Sequence, residues 1–416
     1  MENDESVIKD NNYIKYKKVG IFGSKNVGKK TFCNFLYKLK KKVEVINDDL
    51  SKSSFVVDDS SIFFESFQFV YNSNNYYINL VKLDLDMNNK EICYETYLYS
   101  IQIIILVLDI TNLNSFEDIE KFLEINKNNI KDDMKIYLIS NKSDLQSEKS
   151  VSDFDIKKIT NKYDKIICFD CCFSELENKL ENKNKEFFDD FLKVLNSPSL
   201  IYIHNPINLA NSTYSDNKLK LILIGDSTVG KSSFIRKFFE NKFFFSFIST
   251  IGIDNQKTLI KINDKIIKLE VWDTAGQERL KSLSKKIYSK GDGFLLLFDL
   301  TNENSFKNLK ENWLNEIEKE NGLNIKDSNK KICIYIIGNK FDLTKERTIS
   351  YEEAKNFCDE NNCKYAEMSC FTGLNVYEIL CNIAIDSYKI NKKNDIGFSL
   401  DDNKKVLINK KKKKCC

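Results

Sequence analysis

The chain has 416 residues, 42% hydrophobic and 30% charged, which suits about two packed domains and excludes a wholly disordered polypeptide. With two prolines and 13 glycines it is neither collagen-like nor a Pro/Gly-rich low-complexity protein. The net charge of +3 is lopsided: residues 404–416 hold seven lysines and no acid, and removing those seven turns +3 into −4. A nucleic-acid binder spreads basic charge over a folded face, so none is expected as a partner. A terminal lysine run suits an anionic membrane surface instead.

No apolar run approaches the ~20 residues of a membrane span, and MENDESVIKD at the start is no signal peptide. The 12 cysteines are therefore expected as free thiols in a cytoplasmic, reducing setting. Cys168-x-x-Cys171-Cys172 resembles half a zinc site, yet no second pair has suitable spacing and His204 is the only histidine. The Asn211-Ser-Thr sequon has no meaning in such a compartment.

In chain order, a flexible N-terminus (1–15) precedes a first copy (16–195) of a plan that recurs in a second copy (218–391). KKVGIFGSKNVGKKTF (17–32) matches LKLILIGDSTVGKSSF (219–234), LVLDITNLNSF (106–116) matches LLFDLTNENSF (296–306), and IYLISNKSDL (136–145) matches IYIIGNKFDL (334–343). The stretch 196–217, with both prolines, reads as a linker, and 392–416 as a polybasic tail ending in Cys415-Cys416. Within the second copy the pattern predicts a strand at Leu219–Ile224 and a helix at Lys231–Asn241. A hairpin is expected from Thr258–Ile262 and Lys265–Trp272, then a buried strand at Gly293–Leu300 and a helix over 305–320. A strand over 331–338, a helix opened by Ser350 and Glu353, a strand near 364–368 and a helix over 374–390 complete it. The fold class is α/β: two tandem P-loop domains, each a mostly parallel six-stranded sheet flanked by helices.

The chemistry is densest in the second copy. Gly225-Asp226-Ser227-Thr228-Val229-Gly230-Lys231-Ser232-Ser233 joins a strand to a helix, where backbone N–H groups and the helix N-terminus can cradle phosphates. Lys231 is placed for the β- and γ-phosphates and Ser232 for Mg²⁺. Asp273, ending a strand in VWDTAGQE (271–278), can hold the metal side. Gly276 can donate its N–H to a γ-phosphate, and Gln277 can orient an attacking water. Thr250 can offer its hydroxyl to Mg²⁺. Asp342 of Asn339-Lys340-x-Asp342 can accept from guanine N–H groups that adenine lacks, Lys340 can lie along the base, and a backbone N–H of Ser369-Cys370-Phe371 can meet the guanine oxygen.

These motifs, in this order, make the second copy resemble a Rab-type member of the Ras superfamily of small GTPases; FISTIGID (247–254), IIKLEVWDTAGQERL (266–280), GFLLLFDLT (293–301) and GNKFDL (338–343) carry the likeness. The resemblance implies GTP/GDP and Mg²⁺ as cofactors, Gln277 as the catalytic residue, and Phe243 against the guanine edge. It implies a nucleotide-exchange factor, a GTPase-activating protein, a GDP-dissociation inhibitor, a prenyl escort with geranylgeranyl transferase, and effectors as partners. It also implies lipidation at Cys415 and Cys416 and a place on the cytosolic face of an intracellular membrane, regulating vesicle traffic. Asn255, Leu280 and Phe371 depart from the usual pattern. A non-catalytic tether or scaffold built on GTPase-like domains is the alternative.

The first copy keeps Gly23, Gly28 and Lys29 but has Lys30 where a hydroxyl should ligate Mg²⁺. In its 85–91 segment Asp86 aligns with the metal-side aspartate, Asn89 with the glycine and Lys90 with the glutamine. Asn141, Lys142 and Asp144 are intact, and Cys171-Cys172-Phe173 aligns with Ser369-Cys370-Phe371. The expectation is a pseudo-GTPase that binds guanine nucleotide without Mg²⁺ or binds nothing.

Overall fold

The structure is a computed structural model. It describes residues 13–34, 53–56, 62–71, 74–85, 94–131, 134–163, 165–172, 183–196, 201–204, 218–241, 243, 253–262, 265–274, 288, 291–322, 324–327 and 332–392. The chain divides into two compact units, Met1–Ile207 and Asn208–Cys416.

The first unit opens with β1 (Tyr13–Gly23), which runs through the first glycine loop into α1, described over 29–34. Then come β2 (Ser53–Val56), β3 (Ile62–Tyr71), β4 (Asn74–Asp84), α2 (Tyr94–Leu98), β5 (Ile103–Asp109) and α3 (Leu113–Ile125). β6 (Lys135–Asn141), α4 (Asp153–Lys162), β7 (Ile166–Asp170), α5 (Lys183–Asn196) and β8 (Ile201–His204) follow. The sheet order is β7-β6-β5-β1-β4-β3-β2, parallel from β7 to β4 and antiparallel beyond; β8 adds antiparallel to Tyr13–Lys15 of β1. β5 is buried along its whole length, as a parallel strand covered on both faces must be. Phe32, Tyr137, Phe187 and Phe191 pack beneath it, with Tyr137 and Phe187 edge-to-face at 5.4 Å.

Two features differ from the sequence reading. β1 begins at Tyr13, inside the stretch expected to be flexible, and β8 lies inside the expected linker. Ile201-Tyr202-Ile203 is a β-favouring run bounded by Pro198 and Pro206, so the prolines delimit a short strand as well as a connection. With β2 and β8 the first sheet exceeds six strands.

The second unit holds β9 (Lys218–Ile224), α6 (Lys231–Glu240), β10 (Ile253–Ile262), β11 (Lys265–Thr274) and β12 (Gly293–Asp299). It continues with α7 over 303–321, β13 (Cys333–Asn339), α8 (Tyr351–Glu360), β14 (Lys364–Glu367) and α9 over 376–392. Six strands run in the order β14-β13-β12-β9-β11-β10, and only the β10–β11 pair is antiparallel. The Ser350 side chain accepts from the Glu353 backbone N–H at 3.0 Å and caps α8. α7 is interrupted by a π turn at Leu309–Trp313. In both units the loops at the carboxyl ends of the parallel strands carry the glycine and Asn-Lys-x-Asp motifs, where ligands bind in such sheets.

Candidate nucleotide-binding site

In the second unit the phosphate loop bends under tight backbone constraint. A Cβ on Gly225 would strike the Leu297 carbonyl, and Gly230 sits at φ +103 with the Asn339 amide where its Cβ would be. Thr228 holds φ +66, costly for a β-branched residue and a form of strain that clusters at functional loops. Ser227 and Thr228 are exposed at the loop tip, whereas Val229 is buried. Gly230 leads straight into α6, so the helix N-terminus opens toward the loop. The Lys231 ammonium donates to the Gly225 carbonyl at 2.8 Å and the Asp226 carbonyl at 2.6 Å. Burial pushes its pKa down to about 8, against the pull of Asp273 and Asp226.

Ser232 Oγ donates to Asp273 Oδ2 at 2.5 Å, and Asp273 is buried at the end of β11. Two hard oxygen donors of this kind, side by side beside a phosphate cradle, fit Mg²⁺, which takes few protein ligands and leaves positions for phosphate and water. Ser233 is half-buried on the next helical position. Around the base, Asn339 Nδ2 donates to the Val229 carbonyl at 2.8 Å and its Oδ1 accepts from the Cys370 N–H at 3.2 Å. One asparagine thus ties the phosphate loop to both base loops. Lys340, at φ +66, pairs with Asp299 at 2.6 Å, which lays out its stem. Asp342 accepts from the Ser369 hydroxyl, and burial raises its pKa despite that bond. The Phe243 and Phe371 rings meet edge-on at 5.4 Å. Phe371 therefore supports the aromatic expected at the guanine edge. Thr250, Gly276, Gln277, Cys415 and Cys416 lie outside the described residues.

The first unit repeats this backbone at three left-handed positions, while Gly23, unlike Gly225 at φ +146, is not left-handed. Asn26, Gly28 and Lys142 take φ of +65, +105 and +62, beside +66, +103 and +66 at Thr228, Gly230 and Lys340. Asn141 Nδ2 donates to the Val27 carbonyl at 2.8 Å, and Lys142 pairs with Asp109 at 2.5 Å. The chemistry differs. Lys29 donates to the carbonyls of Gly23 and Ser24 and also pairs with Asp84 at 2.7 Å. All three ammonium protons have acceptors, one of them anionic. Burial lowers the pKa of Lys29, and the Asp84 bond opposes that shift. Lys30 and Thr31 are both exposed.

Strand register corrects two sequence alignments. Asp273 lies opposite Leu223, and the first-unit equivalent, Ile21, lies opposite Lys82. By register the position of Asp273 is taken by Lys82 in the first unit; ungapped alignment of the motif slid past the register that β1 and β4 fix. Asp86, Asn89 and Lys90 lie outside the described residues. Met368 N bonds Gly338 O, as Cys171 N bonds Ser140 O, so Cys172 stands where Ser369 does and the tripeptides are offset by one. Accordingly Cys172 Sγ donates to Asp144 Oδ1 at 3.0 Å, the bond Ser369 makes to Asp342. Sequence reasoning also missed Asp84, because the carboxylate's partner is set by strand pairing 55 residues away from Lys29.

A sequence model of the Ras family matches residues 84–196 and 220–389, one region in each unit. The chain is 39% identical over 169 residues to the Ras-related protein Rab-1 of Theileria parva, covering 41% of this chain and 74% of that protein. It is 40% identical over 204 residues to the GTP-binding protein ypt2 of Schizosaccharomyces pombe, covering 48% and 97% respectively. It is 38% identical over 203 residues to the Ras-related protein Rab-8B of Dictyostelium discoideum, covering 48% and 94%. With the phosphate loop, the Ser232–Asp273 pair and the guanine loop in place, the chain belongs to the Ras family, as a Rab-type small GTPase with two Ras-like regions in tandem.

Proposed function

We propose that the second unit is the working switch of this protein, binding GTP and GDP with Mg²⁺, and that the first unit is a pseudo-GTPase that binds no nucleotide. The observation that carries this is the contrast between two lysines. Lys231 has two carbonyl acceptors among the described residues and Lys29 has three acceptors, including Asp84. A phosphate can complete the first set; it would have to displace a carboxylate from the second. Lys30 and Lys82 stand where the second unit has Ser232 and Asp273, and neither ammonium can ligate a cation.

In the second unit, bound Mg²⁺ would supply charge neutralisation across the phosphates. Ser232 and Asp273 would hold it with Thr250, while Lys231 and the loop N–H groups orient the phosphates. Asp342 selects guanine, Gly276 fixes the γ-phosphate, and Gln277 positions the water. Loss of the γ-phosphate would release the segments around Thr250 and Gly276, which is the switching event. The names of the Rab relatives support a role in vesicle traffic, with exchange factor, activating protein, GDP-dissociation inhibitor and effectors as partners. Prenylation of Cys415 and Cys416 by an escort and geranylgeranyl transferase, beside the lysine run, would hold the protein to a membrane's cytosolic face. Among the described residues no helix is long and apolar enough to cross a membrane.

Single-turnover GTP hydrolysis by the full chain tests the switch. Hydrolysis is expected, and Gln277→Leu should slow it at least tenfold. Absent hydrolysis, or a rate untouched by Gln277→Leu, would favour the tether reading instead.

A further inference from the structure

Asp226 places a carboxylate in the phosphate loop, beside the position where the ligand's own negative charge must sit. Its two oxygens are both engaged by α7: Asn308 Nδ2 donates to Oδ2 at 2.8 Å and Trp313 Nε1 donates to Oδ1 at 2.7 Å. Its backbone carbonyl meanwhile accepts from Lys231 at 2.6 Å. Asp226 is therefore a rivet between the phosphate loop and α7.

The first unit supplies the control. Its α3 is a regular helix in which Phe116, Ile119 and Phe122-Leu123 face the core. The matching residues of α7 are Phe306, Leu309 and Trp313-Leu314, with one more residue between Leu309 and Trp313 than between Ile119 and Phe122. One extra residue rotates everything after it by about 100° on a helix of 3.6 residues per turn. The π turn at Leu309–Trp313 absorbs it, so Leu314 and Ile317 return to the core. Where the second unit has Asp226 and Trp313, the first has Ser24 and Phe122: the carboxylate and the indole N–H are lost together. The remaining pair is inverted, since Ser24 Oγ donates to Asp118 Oδ2 at 2.7 Å where Asp226 accepts from Asn308.

We propose that Trp313 is a positioning residue for the bound nucleotide: through the π turn its indole N–H holds the Asp226 carboxylate on α7, away from the phosphates, and so sets the phosphate loop. The proposal rests on the reading of the second unit as the nucleotide site. Without the indole, Asp226 Oδ1 loses a charge-assisted bond, and the carboxylate, held by Asn308 alone, can turn toward the ligand's anionic groups.

The test is release of a fluorescent GDP analogue from the full chain, with Trp313→Phe, Asp226→Ser and the double variant. Trp313→Phe should release GDP about tenfold faster, the scale of a hydrogen bond to a charged group. The double variant should return to within about threefold of Asp226→Ser alone, because no carboxylate is left to hold. An unchanged rate in Trp313→Phe overturns the proposal, as does a double variant still released much faster than Asp226→Ser, which makes Trp313 packing only. If Trp313→Phe does not fold, Asn308→Ala, which removes the donor to Asp226 Oδ2, replaces it in both comparisons and tests the same hold of α7 on the carboxylate. A wild-type chain that takes up no GDP defeats the underlying site reading instead, so the two failures are distinct.

Discussion

The two phosphate loops share a backbone and differ in charge. The φ values of Asn26, Gly28 and Lys142 match those of Thr228, Gly230 and Lys340 within a few degrees, and the Asn141 and Asn339 bonds to the loop carbonyls are both 2.8 Å. Yet one lysine is closed by its own aspartate, and Lys30 and Lys82 stand where the second unit has Ser232 and Asp273. The difference separates two jobs that one motif performs. The glycines, the asparagine and the lysine–carbonyl bonds fold the loop, whereas Ser232, Asp273 and Lys231 are the residues proposed to hold the ligand. A domain can lose the second set and keep the first because the first also satisfies buried polar groups.

That division can be broken at several points. The largest effect is expected at the metal. Ser232→Ala should weaken the Mg²⁺-dependent part of GDP affinity roughly a hundredfold, the scale of a metal contact worth a few kcal/mol. Lys30→Ser should create no Mg²⁺ dependence, because Lys82 still holds the partner position; fluorescence titration with and without chelator reads both. Next, Asp342→Asn should weaken guanine nucleotide binding about thirtyfold, through loss of a charged acceptor. Asp144→Asn should leave nucleotide binding by the chain unchanged.

A smaller effect concerns pH. The buried Lys231, with a pKa of about 8, is charged less readily in the empty site than in the unfolded chain. The empty unit should therefore gain stability as pH rises from about 8 toward the unfolded value near 10.4. Phosphate restores the charge, so GDP binding takes up a proton and should weaken about tenfold between pH 7 and pH 9. Calorimetry in buffers of different ionisation enthalpy detects that proton. The shared effect is on stability: Asn141→Ala and Asn339→Ala should each cost about 1 kcal/mol in denaturant unfolding, since each removes the donor to a buried carbonyl. Only Asn339→Ala should also affect nucleotide affinity.

Much of this was legible in the sequence, for physical reasons. β12 and β13 are largely apolar runs, β10 and β11 pair antiparallel as their spacing predicts, and Gly225 and Gly230 occur where the Leu297 carbonyl and the Asn339 amide leave no room for a Cβ. Substituting lysine for serine at Lys30 is readable because it changes charge at a motif position. What was hidden depends on pairing across the sheet. Lys82 opposite Ile21, Asp84 against Lys29, and the one-residue offset at Cys172 follow from register, which local spacing does not determine. β8 was masked by its prolines. The π turn left a signal that a comparison of the two copies reveals: one residue too many before Trp313.

One unit of this chain is proposed to hold nucleotide and the other not. The most direct test is the number of guanine nucleotides bound per full-length chain, counted by chromatography after equilibration with GDP and Mg²⁺. One per chain is expected in the wild type, one in Lys29→Ala and none in Lys231→Ala. Two per chain in the wild type, or a nucleotide that survives Lys231→Ala and disappears with Lys29→Ala, would contradict it.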